Sequence, residues 1–157
     1  MAEAFEIAEL VKVAVEDERT GVVFYGRLAE KSGKLRELFS QLKDAEEHHL
    51  KRFQDMLDQL GGVRTREQYP GEYMAYLRAM TEGRAFPDGA TAARMAQECK
   101  GDAEALALAD RFERDTLILL NELRGLAPAR HAAIVDDIVA EEQAHLVALA
   151  KAQKLLA

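Results

Sequence analysis

A helical stripe broken twice by charge is the strongest constraint in this chain. From about residue 34 to 60 the apolar positions recur at helical spacing: Leu35, Leu38 with Phe39, Leu42, Phe53, Met56 with Leu57, and Leu60. The stripe positions between Leu42 and Phe53 are Glu46 and His49. Residues three apart on a helix point the same way, so both side chains face the intended core. The same break recurs near the end of the chain. There Ile134 with Val135, Ile138, Leu149, Ala152 and Leu155 with Leu156 form the stripe, and Glu142 and His145 interrupt it. Burying charge is unfavourable unless something compensates it.

Two further helical patterns carry one break each. Residues 3–31 place Ala8, Val11, Ala14 with Val15, Val22, Tyr25 and Leu28 with Ala29 on one stripe, with Glu18 among them. Residues 102–126 place Leu106, Ala109 with Asp110, Thr116 with Leu117, Leu120 and Leu123 on another, with Glu113 among them. Ser32-Gly33 is expected to stop the first helix through a left-handed glycine, and Gly61-Gly62 the second. Asp102 reads as the N-cap of the third. Pro128 reads as the start of the fourth, which runs to about Leu156. The segment 61–101 is rich in glycine, holds Pro70 and Pro87, and has too little apolar content for its own core. It reads as a crossover with short helices near 72–81 and 91–99. No strand alternation is evident, so the expectation is an all-α chain forming a single domain over residues 1–157.

The two halves repeat. Glu113 follows Glu18 by 95 residues, and Glu142 follows Glu46 by 96. The midpoint between Glu18 and Glu46 is the Ser32-Gly33 turn, and that between Glu113 and Glu142 is the Ala127-Pro128 turn. Residues equidistant from the turn of an antiparallel helical hairpin lie at the same height. Four carboxylates and two imidazoles are therefore expected in one layer of a four-helix bundle, an alignment that core packing alone does not require.

Six such groups cannot be buried as bare charges, since the residual penalty is several kcal/mol per ion. Two cations resolve the conflict. Carboxylates are hard donors able to bridge metals, and imidazole suits iron, manganese, zinc and copper. The single cysteine, Cys99, excludes an internal disulfide and a four-cysteine centre, and reads as a buried small hydrophobe. The formal net charge of −7 argues against nucleic acid and anionic membrane surfaces as partners. The acidic start has no signal-peptide pattern and no apolar run reaches membrane length, so a cytoplasmic protein is expected. Glu47, His48 and Glu141 fall off the stripes and read as solvated or as supporting groups, and His131, near a helix start, as exposed. Tyr25 lies two turns after Glu18 on the same face. It is placed either to act on a ligand carboxylate as a catalytic, redox-active residue or to be a core tyrosine with a satisfied hydroxyl.

One Glu from each of two helices and Glu-x-x-His from each of the other two is the donor pattern of ferritin-like dimetal proteins. On these residues the chain resembles the rubrerythrin-like branch of that superfamily over nearly its whole length. The resemblance implies a ferritin-like bundle whose crossover, between the second and third long helices, runs the length of the bundle. It implies two iron ions, with manganese or zinc as substitutes, held by Glu18, Glu46, His49, Glu113, Glu142 and His145. Glu46 and Glu142 would bridge, Glu18 and Glu113 would be terminal, and each metal would take one histidine. The implied activity is di-iron oxidoreductase chemistry on peroxide or O2, in a homodimer; ferroxidation with iron storage or transfer is the alternative. Two departures stand out. The lone cysteine rules out the family's rubredoxin-type module, so electrons would come from a separate donor. Thr116 occupies the position of an extra glutamate linked in that family to peroxide reduction.

Overall fold

The computed structural model describes residues 4–61, 64–66, 72–84, 86 and 88–157. Four long helices carry the architecture: α1 (Ile7–Lys31), α2 (Arg36–Leu60), α5 (Asp102–Leu126) and α6 (Ala129–Leu156). Two short helices, α3 (Glu72–Glu82) and α4 (Gly89–Glu98), lie in the crossover. The one regular element other than helix among the described residues is a two-stranded antiparallel ribbon. Its strands β1 (Ala4–Glu6) and β2 (Arg64–Arg66) pair Ala4 with Arg66, Phe5 with Thr65 and Glu6 with Arg64. Thus α1 begins at Ile7, later than its stripe suggested, because the preceding residues extend to pair with the crossover. The expected helix start at residue 3 and the breaks at Gly62, Pro70 and Pro87 lie outside the described residues.

The helix ends follow local chemistry, with two corrections. Gly61 closes α2 in the left-handed conformation, at φ 41° and ψ 59°. Gly33 is not left-handed; Gly61 and Gly101 are the described glycines with positive φ. The α1–α2 turn is instead tied by Ser32, whose hydroxyl accepts from the Leu35 amide at 3.0 Å and donates to Asp102 Oδ1 at 3.0 Å. That bond draws Asp102 away from a capping role, and Gly101 takes the N-cap of α5. Asp88 caps α4 by accepting from the Thr91 amide at 2.6 Å.

The core divides into two apolar clusters. One gathers Leu10, Val11, Phe53, Met56, Leu119, Leu120, Val135 and Ile138. The other gathers Phe24, Tyr25, Leu28, Phe39, Leu42, Leu106, Phe112 and Leu149. In all four long helices the expected charged breaks fall between the two sets of positions. The crossover contacts both: Met80 of α3 packs on the first cluster, and Phe86, Ala92, Ala96 and Cys99 belong to the second. Lys31, the last residue of α1, secures this segment by donating to the carbonyls of Ala96, Gln97 and Cys99 at the end of α4. Among the described residues no helix is long and apolar enough to cross a membrane.

Candidate metal centre

The layer between the clusters holds the six charged and imidazole groups. Glu18 comes from α1, Glu46 and His49 from α2, Glu113 from α5, and Glu142 and His145 from α6. Glu46, His49, Glu113 and Glu142 are 0% exposed and Glu18 is 1% exposed. The His145 side chain keeps 12% exposure, so solvent approaches the layer from the α6 side.

The groups fall into two quartets: Glu18, Glu46, His49 and Glu142, and Glu46, Glu113, Glu142 and His145. In each quartet one donor atom per residue lies within 4.8 Å of all the others. Glu46 and Glu142 belong to both. Glu142 stands between the imidazoles, with Oε1 at 2.8 Å from His49 Nδ1 and Oε2 at 2.7 Å from His145 Nδ1. The two rings face each other across it, 5.7 Å apart and tilted by 23°. Glu18 Oε2 lies 3.6 Å from His49 Nδ1, and Glu113 Oε1 lies 3.6 Å from His145 Nδ1.

Hydrogen bonding leaves this layer incomplete. Both oxygens of Glu18, both of Glu46 and Oε2 of Glu113 are buried without a hydrogen-bond partner. Buried polar atoms are rarely left so. An all-oxygen-and-nitrogen donor set of this density fits a pair of hard or borderline cations, whose bonds would satisfy those atoms. The outward nitrogen of His49 is fixed by a support: Nε2 lies 2.7 Å from Glu141 Oε2. A carboxylate accepts, so Nε2 carries a hydrogen; with an ion bound, Nδ1 would be free to turn its lone pair inward, the usual arrangement behind a metal-bound histidine. Glu141 is held in turn by Arg52 Nη1 at 3.3 Å.

Without metal, protons must serve. Burial and the nearby Glu142 carboxylate push Glu113 up to about 8, and the same two causes push Glu18 and Glu46 well above the carboxylate range. Burial works to lower both histidines. The facing carboxylates overcome it, raising His49 to about 9 and His145 to about 10. For Glu142, burial acts upward but the hydrogen bonds from the two imidazoles prevail, and it stays below the usual range.

The Tyr25 hydroxyl is buried in the core and donates to Glu113 Oε1. Burial and the Glu113 charge raise its pKa well above that of an ordinary tyrosine, so it keeps its proton. Glu47 and His48 are exposed, with Glu47 paired to Lys43 at 2.7 Å. His131 is not exposed but buried, at 2%. The α6 helix already begins at Ala129, so His131 stands four residues before Val135 on the inward face.

Two residues beside the centre, Asp17 and Arg84, lie outside the stripes. Asp17, next to Glu18, is 4% exposed. Its Oδ1 accepts from Arg84 Nη1 of the crossover at 2.7 Å, and its Oδ2 accepts from the Thr116 hydroxyl at 2.7 Å. Burial raises Asp17 to about 6, with Arg84 and Thr116 opposing. The Thr116 position, one turn after Glu113, therefore meets a carboxylate supplied by α1. A cavity of about 170 Å³ opens beside it, lined by Glu16, Asp17, Thr20, Arg84, Phe86, Asp88 and Gly89.

Comparison with known proteins agrees with this architecture. A solved structure of a ferritin-like, diiron-carboxylate protein from Bacillus anthracis str. Ames superposes with a TM-score of 0.64. The match covers 96% of this chain and 99% of that one at 18% identity, which establishes a shared fold. Among curated proteins, none has a significantly similar sequence. The family model for rubrerythrin matches residues 9–153. This chain, with its buried carboxylate–histidine layer between four long helices, belongs to the rubrerythrin family.

Proposed function

We propose that the protein is a di-iron oxidoreductase that reduces peroxide or O2, fed with electrons by a donor outside residues 1–157. The observation that carries this reading is the pair of buried quartets with shared Glu46 and Glu142 and orphaned oxygens. In it, Glu18, Glu46, His49 and Glu142 hold one ion, and Glu46, Glu113, Glu142 and His145 hold the other. The iron pair, when bound, supplies the reducing electrons at one spot.

The chain's own residues do the rest. Four carboxylates balance the charge of two divalent ions. Glu141 holds the His49 ring in one tautomer and orientation. Tyr25, its proton retained, orients the Glu113 carboxylate from the aromatic side of the layer. The apolar clusters above and below exclude water, and the slight exposure of His145 marks the side from which a small oxidant arrives.

The test is stopped-flow mixing of the di-ferrous protein with H2O2 and, separately, with O2. Oxidation faster than that of free Fe(II) in the same buffer is expected, with two irons per chain. Oxidation no faster than free Fe(II) with either oxidant refutes the proposal.

A further inference from the structure

Gly21 lies inside α1, three residues after Glu18, and is buried. Glycine is an unfavourable choice in a helix interior, because it loses the most backbone freedom on folding. No backbone requirement explains it, since Gly21 is not among the glycines with positive φ. Space does. A Cβ at this position would stand 2.6 Å from Glu46 Oε2, 3.0 Å from its Cδ and 3.1 Å from its Cγ. Gly26, in the same helix, is a useful contrast: a Cβ there would meet Lys43 Cδ at 3.7 Å, an ordinary contact.

The overlap at Gly21 falls on a carboxylate that hydrogen bonds do not hold. Both Glu46 oxygens lack a partner, so their place is set by the shape of the walls and, in the dimetal reading, by the ions. Glu46 is also one of the two residues common to both quartets. We propose that Gly21 is a positioning residue for the metal pair: its missing side chain is the recess in which the Glu46 carboxylate lies back against α1 and stays within reach of both ions. The inference rests on the dimetal reading and adds to it the residue that sets the placement of a shared ligand.

The consequence is separable from stability. The atoms that a methyl group would displace are the end of a flexible side chain, so Gly21→Ala should fold and move the carboxylate. Wild type, Gly21→Ala and Gly26→Ala are titrated with Co(II), followed by visible absorption and calorimetry, and the metal-free proteins are melted by circular dichroism. Wild type and Gly26→Ala should take up two Co(II) with the same affinity and spectrum. Gly21→Ala should melt cooperatively without metal, bind Co(II) at least about tenfold more weakly, and give an altered ligand-field spectrum, as expected for a misplaced ligand. Wild-type affinity and spectrum in Gly21→Ala would overturn the role of Gly21 alone. Failure of wild type to bind two Co(II) would overturn the dimetal reading itself. If Gly21→Ala does not fold, Gly21→Ala/Glu46→Asp decides: a carboxylate one methylene shorter should restore cooperative melting, and no restoration overturns the proposal.

Discussion

Raising the pH from 6 to 8 is expected to destabilise the metal-free protein, in a range where most proteins are near their most stable. Glu113 illustrates the reason. Burial and the neighbouring Glu142 hold it at about 8, against 4.5 for the ordinary side chain. Between those values the native state keeps a proton that the unfolded chain releases. Stability therefore falls as pH rises, by up to about 1.36 kcal/mol per pH unit for one group. Allowing for partial ionisation near pH 8, Glu113 alone removes roughly 2 kcal/mol between pH 6 and 8. The raised histidines act with the same sign, because their contribution is complete below about 6.5 and is lost on the way to about 9 and about 10. Glu142, whose pKa is lowered, contributes stability lost only in acid, and adds no slope in this window. For a chain of this size 1 kcal/mol shifts Tm by about 2–4 °C, so the metal-free Tm should drop by at least about 5 °C. The assay is calorimetric or circular-dichroism melting in chelator at constant ionic strength, repeated after refilling with two equivalents of a divalent metal. Bound cations replace the protons and bind better as protons leave, so the metal-loaded Tm should hold or rise over the same range. A metal-free Tm that is flat or rises from pH 6 to 8 would show that the carboxylates do not hold protons in the folded protein, and the electrostatic account of the layer would fall.

Three other outcomes are expected. Arg84→Met leaves Asp17 buried with Thr116 as its remaining partner, and should lower stability to urea by about 3–5 kcal/mol at pH 8 and by clearly less at pH 5, where Asp17 takes up a proton; equal losses at both pH values would contradict the ion pair. Glu141→Ala removes the group that orients His49 and should weaken metal binding by roughly 10-fold or more, while the metal-free melting curve changes little; unaltered Co(II) affinity would dismiss the supporting role. Phe53→Ala empties a fully buried position in the first core cluster and should cost about 3–5 kcal/mol in urea unfolding, with a smaller loss indicating that neighbouring side chains close the gap.

The four long helices and the six residues of the buried carboxylate–histidine layer are legible because their signal is local and repeated. Glu18, Glu46, His49, Glu113, Glu142 and His145 each replace an apolar residue in a 3.6-residue pattern, and two turns fix their common height. What was not legible depends on distant partners. Asp17 lies off the stripe and, like Glu16, reads as a surface acid, and only its bonds to Arg84 and Thr116, 67 and 99 residues away, explain its burial. Phe24 reads from the sequence as a core or subunit-contact aromatic; its packing on Phe86 and Phe112, at centroid distances of 4.5 and 5.9 Å, makes it core, while Val22 on the stripe is only half-buried. The ribbon strands are three residues each, too short for alternation to show. His131 lies near a helix start, where exposure is the simple expectation, but its four-residue spacing to Val135 puts it on the inward face.

The ribbon makes the two helical hairpins mechanically unequal. Strand β1 leads directly into α1, and β2 follows shortly after α2, so their pairing fastens the free ends of that hairpin opposite its Ser32 turn. Helices α1 and α2 are thereby fastened at both extremities, and Glu18, Glu46 and His49 lie between the two fastenings. Helices α5 and α6 meet at the Ala127–Pro128 corner and, close to it, through the Arg124–Asp136 ion pair at 2.6 Å, and they carry Glu113, Glu142 and the partly exposed His145. In the dimetal reading, an arriving ion would meet Glu18, Glu46 and His49 already held between two fastened ends, with His145 the donor nearest to solvent.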